Sequence, residues 1–395
     1  MQTHAALMDM AVLLAAAFAG GAILQKLHQP VMVGYILVGF ILGPSVSGLI
    51  DDKHQIETLA ELGILLLLFI VGLELDLKKF ARVYRAALIV TAAQIIVSLG
   101  AIYCVGQLFD WSIERIILIG FAISLSSTAV AIKLLQEMKE LNTTLGRAAV
   151  GILIAQDIAV IPMILIIGAM GDDHFTLFAG VKIILAMGFM ACVIATLSYR
   201  PQWFLVFVEK LPFENQFAVS ALTMCIVTAA LSGMAGLSPA YGAFIAGLII
   251  GHTTKRSIFE ESVKPIFEVL MMVFFLSVGL LLDSTFLIEK FWRIALLLGL
   301  LMFLKTFLNV SVLYFLGFSR RNALIIGAAL GQIGEFSFIL AALGLSAATI
   351  MEDGYKYVVS LIALSLIVTP FWLFTVRKMN LIRHKSYKKR HIKHG

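Results

Sequence analysis

The stretch "ILIAQDIAVIPMIL" (153–166) places one carboxylate, Asp157, in an almost wholly apolar run. A carboxylate there is costly to ionise, by about 2.5 kcal/mol or more at the centre of a membrane helix. An ionisable residue at such depth marks a functional site by default. The chemistry it suits is exchange: one carboxylate takes up either a proton or a cation. The competing structural reading is a salt bridge inside a helix bundle. Gln156 adds an amide oxygen that can coordinate a cation without adding charge, or hydrogen-bond a neighbouring helix. Pro162 lacks the N–H that would bond to the carbonyl of residue 158, and either bends the segment or simply adjusts its packing.

Two other charged residues sit deep in apolar text. Lys305 lies in "LLGLLMFLKTFLNVSVL" (297–313), too far from either end to snorkel easily. It calls for a carboxylate partner, and Glu335 and Asp157 are the candidates. It is then either a structural counter-charge or a second titrating group. Glu335 is either the partner of Lys305 or a residue of the ion pathway. Glu74 and Asp76 with Lys78 and Lys79 read as an interfacial charge cluster, and Asp9 as a hydrated residue near a helix end.

The elements that position these groups are membrane helices. Of 395 residues, 61% are hydrophobic and 14% charged, against about 25% charged in a soluble domain. The mean hydropathy is +0.99. Apolar runs recur near the roughly 20 residues that a spanning helix needs, whereas barrel strands would read as short alternating segments. The expected architecture is all-α and polytopic, with about 13 spans: 5–25, 31–50, 56–75, 86–108, 112–135, 147–170, 176–198, 214–235, 238–252, 265–284, 292–316, 322–346 and 355–375. The first run follows "MQTHAALMDM", which lacks the basic start of a signal peptide, so it reads as a true helix.

The net charge of +6 reflects topology rather than nucleic-acid binding. With the C-terminus cytoplasmic, 23 of the 30 Lys and Arg fall inside, six fall outside and Lys305 lies within a span. An odd number of spans places the N-terminus outside. The basic tail 377–395 reads as a topology anchor that also touches anionic lipid. Cys104, Cys192 and Cys225 show neither metal nor disulfide spacing. No cofactor is expected. The segment "GHTTKRSIFEESVKP" (251–265) reads as a charged cytoplasmic connector.

The chain repeats itself. "GYILVGFILG" (34–43) matches "GAFIAGLIIG" (242–251) at an offset of 208, and "FIVGLELD" (69–76) matches "LSVGLLLD" (276–283) at 207. The copies lie seven spans apart, an odd number, so they face opposite ways across the bilayer. Inverted repeats of this kind belong to secondary transporters. The repeats cover about 30–170 and 238–375 within a membrane domain of 1–376. The same offset pairs "ISLSSTAVAI" (123–132) in span 5 with "LGQIGEFSFI" (330–339) in span 12. Gly331 and Gly334 are poor helix residues, and Ser124, Ser126, Ser127 and Thr128 compete for backbone bonds. Both helices are expected to break and cross near the midplane, with freed carbonyls and hydroxyls facing a cavity. The plainer alternative is that these serines only bond packed helices together.

"SLSSTAVAIKLL", "AQDIAVIPMIL" and "GQIGEFSFIL", in this order, together with "GYILVGFILGP" and "LAELGILLLLFIVGLELD" (59–76), resemble the Kef-type branch of the monovalent cation:proton antiporters. The resemblance covers about 10–375. It implies core and dimerisation domains, a homodimer and an elevator-like motion. It further implies cation and proton binding at Asp157, assisted by Ser127 and Thr128, and a basic residue of span 11 at Lys305. Localisation would be a bacterial inner membrane. There are two departures. Many Kef-type proteins continue into a soluble nucleotide-binding domain, but no Gly-rich βαβ fingerprint occurs here. That leaves an unregulated protein, a separate cytoplasmic regulatory subunit or a piece of a longer chain. Some superfamily members also carry two adjacent Asp in span 6, where this chain has Gln156 and Asp157. A single carboxylate favours one-for-one, electroneutral exchange of K⁺, or alternatively Na⁺, for H⁺. A proton released by Lys305 would instead make exchange electrogenic. Rival readings are a gated channel-like efflux pathway and a sodium-coupled symporter of a small solute. A membrane enzyme lacks any nucleophile or metal constellation within the spans.

Overall fold

The computed structural model describes residues 2–27, 29–49, 53–74, 84–141, 143–170, 216–253 and 255–391, with short pieces between 181 and 196. Among them there is helix and no strand. Lipid offers no partner for backbone polar groups, so apolar segments satisfy them internally as helices. Among the described residues, seven helical spans, one of them the interrupted Ile113–Glu137, are long and apolar enough to cross a membrane, and five shorter apolar helices accompany them. The second expected span is shorter than read, its helix ending at Leu42 rather than near residue 50. Most of span 7, and Asp76, Lys78 and Lys79, lie outside the described residues.

Two compact units divide the chain. The first comprises 1–81, 159–286 and 342–353. It holds α1 (Gln2–Lys26), α2 (Val31–Leu42), α3 (Lys53–Glu74), α8 (Phe217–Met234), α9 (Pro239–Gly251), α10 (Arg256–Leu280) and α11 (Ser284–Glu289). Helix α2 packs on α10 and α3 on α9. Glycine permits both approaches. A Cβ on Gly39 would overlap the Leu276 carbonyl, and one on Gly247 would overlap the Phe69 carbonyl. Gly247 is the repeat equivalent of Gly39, and Leu276 that of Phe69. One helix contact is therefore made twice, as a two-fold relation between the copies requires. Helix α10 corrects one expectation. The segment read as a connector up to residue 265 is helical from Arg256 onward, with Pro265 inside the helix. An Arg256–Glu260 ion pair one turn apart supports its start.

The second unit comprises 82–158, 287–341 and 354–395. It holds α4 (Tyr84–Leu108), α5 (Ile113–Ser124), α6 (Thr128–Glu137), α7 (Thr144–Gly168) up to Ile158, α12 (Phe291–Phe315), α13 (Arg320–Ala329), most of α14 (Phe336–Ser346, to Ala341) and α15 (Glu352–His391) from Gly354. Two of its helices carry polar groups inward and apolar ones outward. On α4, Thr91, Gln94 and Ser98 are buried while Leu88, Ile89, Ile96 and Val97 are exposed. On α12, Lys305, Thr306 and Asn309 are buried while Leu296, Leu300, Phe303 and Phe307 are exposed. This is the pattern of helices whose outer face meets lipid and whose inner face builds a site.

Candidate functional site

Both expected breaks are present. One span stops at Ser124 and resumes at Thr128, and the other stops at Ala329 and resumes at Phe336. The connecting peptides cross and are stitched together. Ser126 Oγ donates to the Leu330 carbonyl at 2.8 Å. The Gly334 N–H donates to the Leu125 carbonyl at 3.1 Å. Gln332 Nε2 reaches the Ser127 carbonyl at 3.2 Å, and Ser337 Oγ the Ala122 carbonyl at 2.6 Å. A Cβ at Gly334 would press on the Ser126 main chain at 2.8 Å, so the crossing depends on glycine there.

The two breaks are bonded alike. The Ser126 N–H donates to Gln156 Oε1 on α7 at 2.9 Å. The Ile333 N–H donates to Ser365 Oγ on α15 at 3.0 Å. Ser126 and Ile333 are repeat equivalents, 207 residues apart. So are Leu125 and Gln332, and the carbonyls of both accept from Lys305 Nζ.

Asp157 is buried on α7. Thr128 Oγ1 lies 3.2 Å from each of its carboxylate oxygens. Thr128 is the first residue of half-helix α6, whose N-terminal dipole favours negative charge. Asp157 and Thr128 are thus brought together as the resemblance implies. The other expected site residues are placed differently. The Gln156 oxygen, read as a possible cation ligand, is engaged by the Ser126 N–H. Its nitrogen donates to Gln94 Oε1 at 2.6 Å. The orphan N–H of an unwound peptide must be satisfied internally at this depth, and Gln156 does so. Ser127 caps α6, its hydroxyl accepting from the Val130 N–H at 3.2 Å.

Lys305 also departs from expectation. Among the described residues it makes no ion pair; its ammonium is held by the two carbonyls. The breaks expose carbonyl oxygens near the C-terminal ends of α5 and α13, and these attract a cation as a carboxylate would. Glu335 is buried and lies against Ser127 and the N–H groups of Ala129 and of its own residue. Among the described residues its Oε2 has no hydrogen-bond partner. Among the described residues, no three His, Cys, Asp or Glu side chains group as metal ligands.

Gln94 and Asn309, absent from the residues expected at the site, bond to one another at 2.7 Å. Their signal was available. Thr91–Gln94–Ser98 and Lys305–Thr306–Asn309 recur at helical spacing on one face of otherwise apolar helices. Outside the spans, Arg321 Nη2 pairs with Glu140 Oε1 at 2.8 Å, and this holds the Glu140 carboxyl below its ordinary range.

Comparison with known proteins agrees with this architecture. The transmembrane sodium/hydrogen exchanger family model matches residues 13–378. "Iron transporter MagA" of Paramagnetospirillum magneticum is 40% identical over 96% of this chain and 86% of its own length. "K(+) efflux antiporter 6" of Arabidopsis thaliana is 30% identical over 92% of this chain. The chain spans 62% of that relative, less than two thirds of its length. The sodium proton antiporter MjNhaP1 of Methanocaldococcus jannaschii superposes with a TM-score of 0.71 at 16% identity, covering 94% of this chain and 98% of that one. That likeness is one of fold. The chain belongs to the sodium/hydrogen exchanger family and is an integral membrane protein.

Proposed function

We propose that this member of the exchanger family is a secondary antiporter that exchanges a monovalent cation, K⁺ foremost and Na⁺ as the alternative, for H⁺. The observation that carries the reading is Asp157: a buried carboxylate on an intact helix, bonded by Thr128 at the N-terminus of a broken one. When ionised, the carboxylate accepts the Thr128 hydrogen bond and holds a cation. When protonated, it is neutral. The loaded site, with either ion, carries the same net charge, whereas a bare carboxylate is costly to move through the membrane. That asymmetry enforces exchange and makes it electroneutral, one for one. Lys305, bonded to the two carbonyls, is a structural tie and not a proton carrier in this scheme. The motion is alternating access, in a homodimer with an elevator-like core, as the Kef-type resemblance implies. We place the protein in a bacterial inner membrane with its N-terminus outside and its C-terminus cytoplasmic.

The name of the MagA relative raises iron as a second cargo. Fe²⁺ prefers several carboxylate or imidazole ligands, and no such group occurs among the described residues. A single carboxylate with a hydroxyl suits a monovalent ion better.

The test is a pH-gradient assay in proteoliposomes. K⁺, Na⁺, Li⁺, Rb⁺ and Fe²⁺ are added separately, with and without a clamped voltage. Proton movement triggered by K⁺ or Na⁺ that survives the clamp is the expected result. Ion flux without proton movement would establish a channel-like pathway, and a response only with an added organic solute a symporter.

A further inference from the structure

Three buried side-chain amides, on α4, α7 and α12, form a continuous chain between the two breaks. The Ser126 N–H donates to Gln156 Oε1 at 2.9 Å, and Gln156 Nε2 to Gln94 Oε1 at 2.6 Å. Gln94 Nε2 donates to Asn309 Oδ1 at 2.7 Å, and Asn309 Nδ2 reaches the Leu330 carbonyl at 3.4 Å. Gln94, Gln156 and Asn309 are each 1% exposed or less. An amide flipped end for end fills the same space, so shape alone does not choose its orientation. The ends of the chain choose it. A main-chain N–H at Ser126 only donates, and the Leu330 carbonyl only accepts. Every amide between them is therefore fixed in one polarity, because a single flip would set oxygen against oxygen or N–H against N–H.

We propose that Gln94 and Asn309 are positioning residues for the exchange site. Through this chain they dictate the orientation of Gln156, hold the Ser126 N–H, and so keep Thr128, two residues on, in place against Asp157. The inference rests on the exchange reading above. Neither residue touches the cation. Along the middle of the helices that carry the chain, the charged side chains are Asp157, adjacent to Gln156, and Lys305, one turn before Asn309; Arg85, Arg147 and Arg293 stand in the first turns of the same helices.

The experiment uses Gln94→Leu and Gln94→Glu of the full chain. Leu breaks the chain. A protonated Glu keeps its polarity, since C=O accepts from Gln156 and O–H donates to Asn309. An ionised Glu only accepts and cannot serve Asn309. In proteoliposomes, Gln94→Leu should raise the KM for the transported cation about tenfold, as expected for loss of one buried hydrogen bond. Its maximal rate should change less than about twofold. Gln94→Glu should match wild-type KM at acid pH and lose that match as pH rises. Its Tm should fall progressively below wild type over the same interval, a signature that simple loss of packing does not produce. Wild-type KM at every pH in both variants, or a Tm difference that does not vary with pH, would overturn the proposal. Should Gln94→Leu fail to fold, Gln94→Glu carries the test alone. Absence of exchange by the wild type would overturn the functional reading instead, and the Tm profile would still decide whether the chain has this polarity.

Discussion

Leu125 and Gln332, equivalent residues of the two repeats, offer their main-chain carbonyls to one ammonium group, that of Lys305. Each belongs to one of the crossing peptides, so a single side chain ties both breaks together. Lys305→Met takes the ammonium from both carbonyls; Leu125 keeps the Gly334 N–H, while the Gln332 carbonyl loses this donor, at a cost of about 1–3 kcal/mol. The expected outcome is a marked fall in Tm, read by scanning fluorimetry in detergent, together with loss of exchange. A variant that keeps the wild-type Tm and changes only the voltage dependence of exchange would make Lys305 a proton carrier.

Asp157→Asn keeps the shape and an acceptor for Thr128 but removes the charge that a cation needs. Exchange should drop at least about 100-fold, a loss of transition-state stabilisation of roughly 2.7 kcal/mol. Tm should stay near that of wild type, because a buried neutral amide is no harder to accommodate. Robust exchange by this variant would sink the assignment of the site.

Thr128→Val is close in volume and removes the hydroxyl that bonds both carboxylate oxygens of Asp157. The KM for the cation should rise about three- to tenfold, the equivalent of one net hydrogen bond. Thr128→Ser, which restores the hydroxyl, should recover most of the affinity. Cation titrations of the exchange rate distinguish the two.

The Glu140–Arg321 pair joins the α6–α7 connection to the first turn of α13. Its pairing lowers the Glu140 pKa from the ordinary 4.5. A depressed carboxylate pKa means that the stabilisation is fully present above that ordinary value and is lost as pH falls through the lowered one. Arg321 is 57% exposed, so screening limits the contribution to about 1 kcal/mol or less. Glu140→Gln should therefore lower Tm by at most about 2 °C at pH 7, and the difference should vanish in acid. A difference that persists at pH 3 would assign the effect to packing.

Much of this site was legible because the membrane makes polarity conspicuous. Asp157, Lys305 and Glu335 stand out in apolar text, since a charge at depth has to be retained against a large solvation penalty. The repeat offset located both breaks, because glycine and hydroxyl residues at matched positions weaken helices. The resemblance paired Asp157 with Thr128 ahead of the geometry. The partners of Gln156, Ser127 and Lys305 were not legible for one reason: each bonds a main-chain group. A backbone N–H or carbonyl has no letter in the sequence, so sequence alone seeks the partner of Lys305 among carboxylates and leaves the Gln156 amide open between a cation and a neighbouring helix.

Composition, periodicity and self-similarity by themselves determined an all-helical membrane chain, its repeated plan and the place of its buried carboxylate. They act through local chemistry, which each segment carries wherever it folds. Only the tertiary structure decided which groups meet: Gln94 with Asn309 across 215 positions of sequence, and Lys305 with two carbonyls at once. Hydrogen bonds are short and directional, so their partners follow from how the helices pack rather than from the order of residues along them.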